Sequence, residues 1–304
     1  MQTAESLARI AWGIMGDPGD ARVTAWHDRD GVVASLELLR SRISDSALAR
    51  TLTAHSGEND ITPHQVKLWR GRSSPEREQT ADRIHRELGV SLLTPGTPGW
   101  PRGLDDLGPY APHTLWIRGN PELVGLGPDW LGVVGSRKAS EPGLDATRQV
   151  VEQAVALSWG IVSGGATGVD RMAHQHTLSL GASTIAVLAG GLDTLYPTSN
   201  RGLLERIAAT QALVAEAPCT VALAPERFLH RNRLIAAMSK IVVVTEAWSR
   251  SGAMNTASHA TALGRRLAVV PGRWGDPQTE GCFRIARERG ALVLTEARDL
   301  SLLT

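Results

Sequence analysis

The hydrophobic pattern of the chain changes character at about residue 130. From Trp130 onward, short runs of valine, isoleucine and leucine alternate with longer segments in which apolar residues recur at helical spacing. Runs that are apolar at every position, rather than at every second one, are typical of parallel strands buried on both faces. We therefore expect an α/β fold: a Rossmann-like, doubly wound and mostly parallel sheet covered by helices.

The same pattern predicts the bounds of these elements. The predicted strands are Leu131–Val134, Ile161–Ser163, Thr184–Leu188, Leu213–Glu216, Lys240–Ala247, Leu267–Val270 and Ala291–Thr295. The predicted helices are Leu144–Leu157, Val169–Leu180, Asn200–Ala209, Pro225–Ser239, Thr256–Leu263 and Cys282–Arg289. Because ligands of doubly wound sheets bind at the carboxyl ends of the strands, function is expected in the loops that follow them.

The first part of the chain has helical patterns and no strand pattern before residue 90. The predicted helices are Glu5–Met15, Val32–Ile43, Gln65–Arg70 and Arg77–Leu88. They are separated by glycine, proline and polar residues, which end helices. We therefore expect a small helical domain over residues 1–95.

A connector rich in proline and glycine follows the helices. It holds two short extended runs, Ser91–Thr94 and Thr114–Arg118. We expect residues 96–120 to form a linker whose extended run joins the sheet as an edge strand. The Rossmann-like domain is then expected over residues 121–304.

The composition is that of an ordinary globular protein. Of 304 residues, 42% are apolar and 21% are charged. Cys219 and Cys282 give no disulfide framework, and the N-terminus lacks the basic start and apolar core of a signal peptide. No apolar run approaches the roughly 20 residues that span a bilayer. These features predict a cytoplasmic protein without a membrane partner.

Positive charge collects towards the end of the chain. Residues 1–130 hold 14 Lys and Arg against 17 Asp and Glu, residues 131–224 hold 6 against 7, and residues 225–304 hold 12 against 7. The net charges of these three segments are therefore −3, −1 and +5, and together they give the net charge of +1 of the whole chain. A basic face suits a nucleic acid, but it also keeps proteins soluble, so the gradient decides nothing alone.

Two glycine-containing loops follow the first two strands of the predicted sheet. The first continues Gly135-Ser-Arg-Lys and supplies hydroxyl, guanidinium and ammonium groups. In the second, Ser163-Gly-Gly-Ala-Thr-Gly, the glycines let backbone N–H groups face outward at a helix start. Arg231 and Arg233 add groups that suit phosphate. The loops predict a cradle for a polyanion; the plainer interpretation is that the glycines only make turns and the arginines are solvated.

Other chemistries fit the sequence less well. The loop after the first strand lacks the G-x-G-x-x-G of dinucleotide enzymes, and no P-loop G-x-x-x-x-G-K-[ST] occurs. Asp170, His174 and Ser163 allow a catalytic relay, although the helix dipole explains an acid in a first helical turn more simply. His174 and His176 point to different sides of a helix and no third ligand accompanies them, so no metal site is expected.

Two strand-end glutamates and the tryptophans each have more than one interpretation. Glu216 and Glu246 suit either a ribose hydroxyl or the capping of a loop. Trp274 lies beside an arginine in a loop and is the better candidate for stacking on a base. The tryptophans expected in the core are Trp130, Trp159 and Trp248.

Eight segments over roughly residues 110–295 carry a family resemblance. They are LWIRGN (115–120), VVGSRKAS (133–140), IVSGGATGVDRMAH (161–174), TIAVLAGGLDTLYP (184–197), FLHRNRLIAAMSKIVVVTEA (228–247), SGAMNTASHATALGR (251–265), VVPG (269–272) and EGCFRIARERGA (280–291). In this order they resemble the DNA-processing protein A family (DprA, also called Smf) in its actinobacterial form. The helical part is similar, with less specific motifs, to the sterile-alpha-motif-like domain of that family.

The resemblance implies a DNA pocket built from the loops described above. Lys138 and Ser251 are added as neighbours on electrostatic and hydrogen-bonding grounds. Many members carry Arg or Tyr where this chain has Thr167, and many carry a C-terminal winged-helix domain, which we expect to be lacking because the sequence ends at Thr304. The expected site residues are Gly135, Ser136, Arg137, Lys138, Ser163, Gly164, Gly165, Thr167, Gly168, Asp170, Arg231, Asn232, Arg233 and Ser251.

The resemblance also implies a function. Members bind and protect incoming single-stranded DNA, dimerise, and help to load the RecA recombinase during natural transformation and recombination; no catalytic residue and no cofactor is expected. The alternative is a Rossmann-like nucleotide-binding or nucleotide-hydrolysing enzyme, similar to phosphoribohydrolases, although their PGGxGTxxE motif is replaced here by Pro271-Gly-Arg-Trp. A third class, a nucleotide-sensing adaptor, would use the same cradle for a free nucleotide.

Overall fold

The computed structural model describes residues 3–53 and 61–303. Its helices are α1 Ala4–Met15, α2 Ala21–Asp30, α3 Val32–Arg40, α4 Asp45–Thr53, α5 Pro63–Arg72, α6 Pro75–Glu87, α7 Pro121–Leu126, α8 Glu141–Ala156, α9 Val169–Ser179, α10 Arg201–Thr210, α11 Pro225–Met238, α12 Gly252–Ala262 and α13 Glu280–Arg289. Its strands are β1 Ser91–Leu93, β2 Leu115–Gly119, β3 Trp130–Val134, β4 Gly160–Ser163, β5 Thr184–Leu188, β6 Ala212–Ala215, β7 Ile241–Val244, β8 Arg266–Val269 and β9 Leu292–Val293.

The strands form one nine-stranded sheet in the order β1-β2-β6-β5-β4-β3-β7-β8-β9. All pairings from β6 through β9 are parallel, whereas β2 pairs antiparallel with both β1 and β6. The predicted doubly wound, mostly parallel sheet is therefore confirmed. The chain runs outward from β3 through β6 and returns to β7 beside β3, so the strand order reverses at this pair. Such a reversal opens a crevice at the carboxyl ends of the two strands.

The central strands are apolar throughout because both faces of the sheet are covered. Every residue of β3 and of β7 is buried. Val133 and Val243 pack with Val151 of α8 on one face. Val244 packs with Ile235 of α11 on the other face. This explains why the sequence shows continuous apolar runs rather than alternation.

The N-terminal helices have a small core of their own and also touch the sheet. Trp12, Trp26 and Trp69 pack with ring centroids 5.3 to 6.1 Å apart. Ile10 of α1 belongs instead to a cluster that includes Trp116 of β2. We call α1 to α6 the helical module. The module therefore shares part of its core with the sheet.

The predicted edge strand is one place away from the edge. The predicted run at 114–118 corresponds to β2, but β1 pairs with its outer side, so β1 is outermost. The extended run predicted at Ser91–Thr94 contains this outermost strand. The predicted domain boundaries at residues 95 and 120 stay a prediction. Strand β1, which pairs with the sheet, lies within the range that was predicted as the helical domain.

Within the described ranges, none of the helices has the length and apolar character that a bilayer crossing requires.

Candidate functional site

A groove of about 750 Å³ opens where the carboxyl ends of β3 and β7 lie side by side. One wall is the loop after β3, and the other is the loop after β7 together with the start of α12. The amino-terminal half of α11 lies along it. Of the expected site residues, the groove is lined by Gly135, Ser136, Arg137, Lys138, Asp170, Arg231, Asn232 and Ser251. The sheet therefore brings these eight together.

Three cationic side chains at this groove are free to take an anion. Arg137, Lys138 and Arg250 are exposed, and none has a hydrogen-bond or ion-pair partner for its side chain within residues 3–53 and 61–303. The guanidinium of Arg137 lies over the ring of Phe228, 5.3 Å from its centroid. Arg250 follows β7 in a strand-end loop as Arg137 follows β3, so its place at the groove agrees with the expectation that function lies in these loops.

Arg231 forms the floor of the groove rather than a mobile contact. Its side chain is buried and donates hydrogen bonds to the carbonyl oxygens of Gly164, at 2.7 Å, and of Val187. Its Nε donates to Oδ1 of Asn232 at 3.2 Å. Burial lowers its pKa to about 10, while the nearby carboxylate of Asp170 acts in the opposite direction. The guanidinium thus places a fixed positive charge under the groove.

Part of the glycine loop after β4 is bonded to an acid of the same protein. The carboxylate of Asp170, at the start of α9, accepts a hydrogen bond of 3.2 Å from the amide of Ala166. Burial raises the pKa of Asp170; the charge of Arg231 and hydrogen bonding with Ala166, Ser163 and Gly164 act against that rise. Asp170 therefore takes up the Ala166 amide of this loop, and the outward-facing cradle expected for the whole loop stays a prediction.

Glu246 fills the start of α8 in the same way. This buried carboxylate accepts hydrogen bonds from the amide of Ser140, at 3.1 and 3.2 Å, and from the Ser140 hydroxyl. Ser140 also caps α8 by accepting from the amide of Gly143 at 3.1 Å. Of the two interpretations of Glu246, the structure supports the capping of a loop.

Among the described residues, no carboxylate is bonded to the start of α12 in this way. Ser251 is its N-cap residue, but its hydroxyl makes no capping bond. The Ser251 Oγ is buried without a hydrogen-bond partner in the part of the chain that the structure describes. Asn232 holds this turn by donating to the carbonyl oxygen of Gly252, at 3.3 Å, and to Oδ1 of Asn255, at 3.1 Å. A helix start with a vacant hydroxyl and positive charge nearby suits an anionic oxygen.

Aromatic side chains lie beside the cations. Tyr196, Phe228 and Trp248 line the groove, and the rings of Tyr196 and Phe228 meet edge to face at 5.7 Å. Trp248 is 45% exposed, so its prediction as a core residue is wrong, whereas Trp130 and Trp159 are buried as predicted. A smaller recess of about 140 Å³ opens between Tyr196, Phe228 and the cationic floor.

Phe and Tyr are rare in this chain, and half of them lie at the groove. The chain has only two Phe and two Tyr, and none of the four is fully buried. Tyr196 and Phe228 line the groove, whereas Tyr110 and Phe283 do not. Trp274, the predicted stacking residue, is 95% exposed but does not line the groove.

Arg233 lies away from the groove, and its expected place in the site is corrected. Its guanidinium forms a two-point ion pair with Glu216, with N–O distances of 2.7 and 2.8 Å. It also donates to the carbonyl oxygens of Tyr110 and His230. With its side chain buried and its donors used, Arg233 joins α11 to the end of β6 instead of meeting a ligand.

The remaining expected residues are not part of the lining of the groove but support the loops beside it. The Ser163 hydroxyl is buried and donates to the carbonyl oxygen of Val133 at 2.7 Å, so it is no ligand. Thr167 donates to the carbonyl oxygen of Arg137 at 2.9 Å. Gly168 has a φ of +72°, and a Cβ there would lie 2.2 Å from the carbonyl oxygen of Ser136. Gly165, with a φ of +68°, completes the same turn.

The catalytic relay considered above is not assembled. Nδ1 of His174 lies 2.8 Å from Oγ1 of Thr184, and its Nε2 is buried without a partner among the described residues. Burial, with a smaller effect of Arg231, lowers the pKa of His174 to about 3. In the described ranges, no group of three or more His, Cys, Asp or Glu side chains is placed to hold a metal ion.

Comparisons with known proteins agree with this architecture. The family model of DNA recombination-mediator protein A matches residues 91–303. A DNA processing protein DprA of Mycobacterium tuberculosis is 39% identical over 237 residues, which cover 74% of this chain and 61% of that protein. DprA of Bacillus subtilis is 30% identical, covering 71% and 72%. The chain spans about three fifths of the length of the mycobacterial relative.

Solved structures give the same result. DNA processing protein A of Streptococcus pneumoniae has 25% identity and a TM-score of 0.77, covering 99% of this chain and 98% of that one. DNA processing protein A of Helicobacter pylori, described for its single-stranded DNA binding mode, has 27% identity and a TM-score of 0.63, covering 70% and 95%. This chain therefore belongs to the DNA recombination-mediator protein A family, whose members are called DprA or Smf.

Proposed function

We propose that this chain binds single-stranded DNA in the groove between β3 and β7. The observation that carries the proposal is the combination of unpaired cations with exposed rings in a single groove. Arg137, Lys138 and Arg250 supply charge for backbone phosphates, while Phe228 and Trp248 offer faces on which bases stack. Bases in a duplex are already stacked and paired, so such rings favour a single strand.

The binding is expected to depend little on sequence. Long, exposed Arg and Lys side chains contact phosphates without reading base edges. Stacking also tolerates every base, since each has an aromatic face. The relative from Helicobacter pylori, described for single-stranded DNA binding, supports the same ligand for this chain.

The family resemblance extends the proposal to a cellular role. The protein would act in the cytoplasm as a homodimer that protects incoming single strands and helps to load the RecA recombinase during natural transformation and recombination. Membership of a family named for DNA processing and recombination mediation supports this role. In this role the chain binds and delivers DNA and carries out no catalytic step.

A free nucleotide is the less favoured ligand. Nucleotide-binding Rossmann folds place phosphate at the helix start that follows a strand. Here Glu246 and Asp170 fill the starts of α8 and α9. The nucleotide-hydrolysing alternative also lacks support from Ser163 and His174, because the Ser163 hydroxyl donates to Val133 and Nδ1 of His174 lies against Thr184.

Fluorescence anisotropy with labelled single- and double-stranded oligonucleotides, over a range of salt concentrations, tests the proposal. We expect preferential single-strand binding whose log affinity falls with log salt by about 0.7 per phosphate contact. Arg137→Glu should weaken it at least about tenfold, because it reverses a charge beside the strand. Arg206→Glu is the matched control, since Arg206 is exposed on α10 outside the groove. Absence of binding, together with a thermal shift on adding mononucleotides, would favour the free-nucleotide class instead.

A further inference from the structure

A second cleft lies on a different face of α11, where the helical module meets the sheet. It has a volume of about 480 Å³. The helical module contributes its α1–α2 loop and the ends of α5 and α6, and the other wall is the loop after β6 and the start of α11. Its charged and titratable lining residues are Asp17, Arg72, Arg77, Glu226, Arg227 and His230.

Arg227 is the cation that the fold leaves unsatisfied in this cleft. Its side chain is partly buried, yet it has no hydrogen-bond or ion-pair partner in residues 3–53 and 61–303. Burial lowers its pKa; the charges of Glu216, Asp17 and Glu226 act against that change, and Arg72 acts with it. A guanidinium that has lost part of its hydration without gaining an acceptor is stabilised by an anion from outside.

The other arginines are held at the rim of the cleft by the protein backbone. Arg72 donates to the carbonyl oxygen of Met15 at 3.0 Å and to the carboxylate of Asp17 at 2.9 Å. Arg77 donates to the carbonyl oxygen of Thr220 at 3.1 Å. Three arginines face two carboxylates, so the cleft is net positive even with His230 neutral. Its chemistry therefore suits an anion.

The cleft and the groove are separated only by α11. Phe228 and Arg231 of this helix face the groove, whereas Arg227 and His230 face the cleft. Leu229 also lines the groove and is 51% exposed. A helix with its side chains is about 10–12 Å wide, and a strand that advances at least about 3.4 Å per nucleotide crosses it within about three nucleotides.

We propose that the cleft binds backbone phosphates of the same DNA strand after the strand leaves the groove. Arg227 takes a phosphate oxygen, and Arg72 and Arg77 bring the helical module into the DNA contact. This inference rests on the proposed function and extends it: the helical module lengthens the strand that the protein covers. Glu226 opposes the contact, because its carboxylate lies in the same cleft.

Two lengths of labelled oligo(dT) separate the cleft from the groove. A strand of about 6 nucleotides fills the groove alone, whereas one of about 20 nucleotides also reaches the cleft. Arg227→Gln is expected to weaken binding of the long strand about three- to tenfold and to reduce its salt slope by about 0.7, leaving the short strand unchanged. Glu226→Gln should strengthen binding of the long strand, and the control Arg206→Gln should change neither.

Arg77→Gln repeats the test on an exposed side chain of the helical module, in case Arg227→Gln lowers stability; thermal unfolding of each variant is measured alongside. The inference is overturned if both variants bind the long strand like the wild type, or if they weaken both lengths equally. Failure of the wild type to bind either length overturns the proposed function itself. If the wild type binds both strand lengths equally tightly and Arg137→Glu abolishes that binding, the role of the cleft is overturned and that of the groove is not.

Discussion

Arg231 donates a hydrogen bond of 2.7 Å to the carbonyl oxygen of Gly164, and a Cβ at position 164 would lie 2.5 Å from Nη2 of the same guanidinium. Gly164→Ala therefore displaces the cationic floor of the groove. We expect single-strand affinity to fall and the free energy of unfolding to fall by about 1–3 kcal/mol, since the site is overpacked. Anisotropy and urea unfolding measure the two effects.

Gly202→Ala is the matched control for this substitution. Gly202 lies within α10, and a Cβ there would meet nothing within 4 Å. Alanine in an open helical position should stabilise the protein by about 0.5–1 kcal/mol and leave DNA binding unchanged. Equal behaviour of the two variants would mean that Gly164 is not needed for the approach of Arg231.

The ion pair of Arg233 and Glu216 is expected to matter for stability and not for DNA binding. Glu216→Gln leaves a buried guanidinium without its counter-charge. The free energy of unfolding should fall by about 3–5 kcal/mol. The exposed pair of Arg201 and Glu205 gives the comparison: Glu205→Gln should cost about 0.5 kcal/mol or less. If the Glu216→Gln protein folds but has lost affinity for DNA, the conclusion that Arg233 lies outside the binding site is wrong.

Stability should fall as the pH falls below about 6.5. Burial is the main cause that lowers the pKa of His27 to about 2, of His174 to about 3, and of His85 and His113 to about 4. The unfolded chain therefore binds protons, near pH 6.5, that the folded chain does not take up. Each histidine should lower the free energy of unfolding by about 1.4 kcal/mol per pH unit between about pH 6 and its folded pKa.

Urea unfolding at pH 7, 6 and 5 measures this dependence, and His27→Phe isolates one group. Both ring nitrogens of His27 are buried without a partner among the described residues, and its ring meets Trp12 edge to face. Phenylalanine should keep that packing and reduce the pH slope by about one proton. The exposed His64 serves as control through His64→Gln. An unchanged slope in His27→Phe would show that His27 is protonated in the folded protein.

Stacking is expected from Trp248 and not from Trp274. Trp248 lines the groove, whereas Trp274 is almost fully exposed outside it. Trp248→Ala should weaken single-strand binding by about 1–3 kcal/mol, the usual contribution of a stacked base. Trp274→Ala should bind like the wild type. Titration with oligo(dT) under identical salt compares them, and the reverse order would move the strand to the loop after β8.

The strands could be predicted closely because a strand that is buried on both faces has apolar residues at consecutive positions. The prediction Thr184–Leu188 coincides with β5. The prediction Lys240–Ala247 runs past the end of β7 into the loop that carries Glu246, although the apolar run itself ends at Val244. Helix α2 was missed since only Ala21, Val23 and Trp26 of it are buried, and the rest of its sequence is polar.

Residues of the candidate site could be predicted from their position directly after a strand, but residue type alone did not identify them. Arg231 and Arg233 look alike in the sequence, but residues two apart on a helix point to different sides, so both cannot face one groove. An acid at the start of α9 was expected from Asp170, and the capping of a loop was one of two interpretations of Glu246. The partner of Glu246 could not be predicted. Glu246 reaches Ser140 across 106 positions of the chain, and no local pattern reports such a contact.

The hydrogen bond and the close packing between the loops after β3 and β4 have a consequence for the rate of DNA binding. Thr167 donates to the carbonyl oxygen of Arg137, and Gly168 packs against that of Ser136, so the groove backbone is fixed before any strand arrives. Only side chains such as Arg137 and Lys138 lose freedom on binding. A preorganised site of this kind is limited by diffusion and steering, so the association rate constant itself should rise as salt is lowered. Under the proposed function, a strand would be captured on first encounter, without rearrangement of the groove backbone.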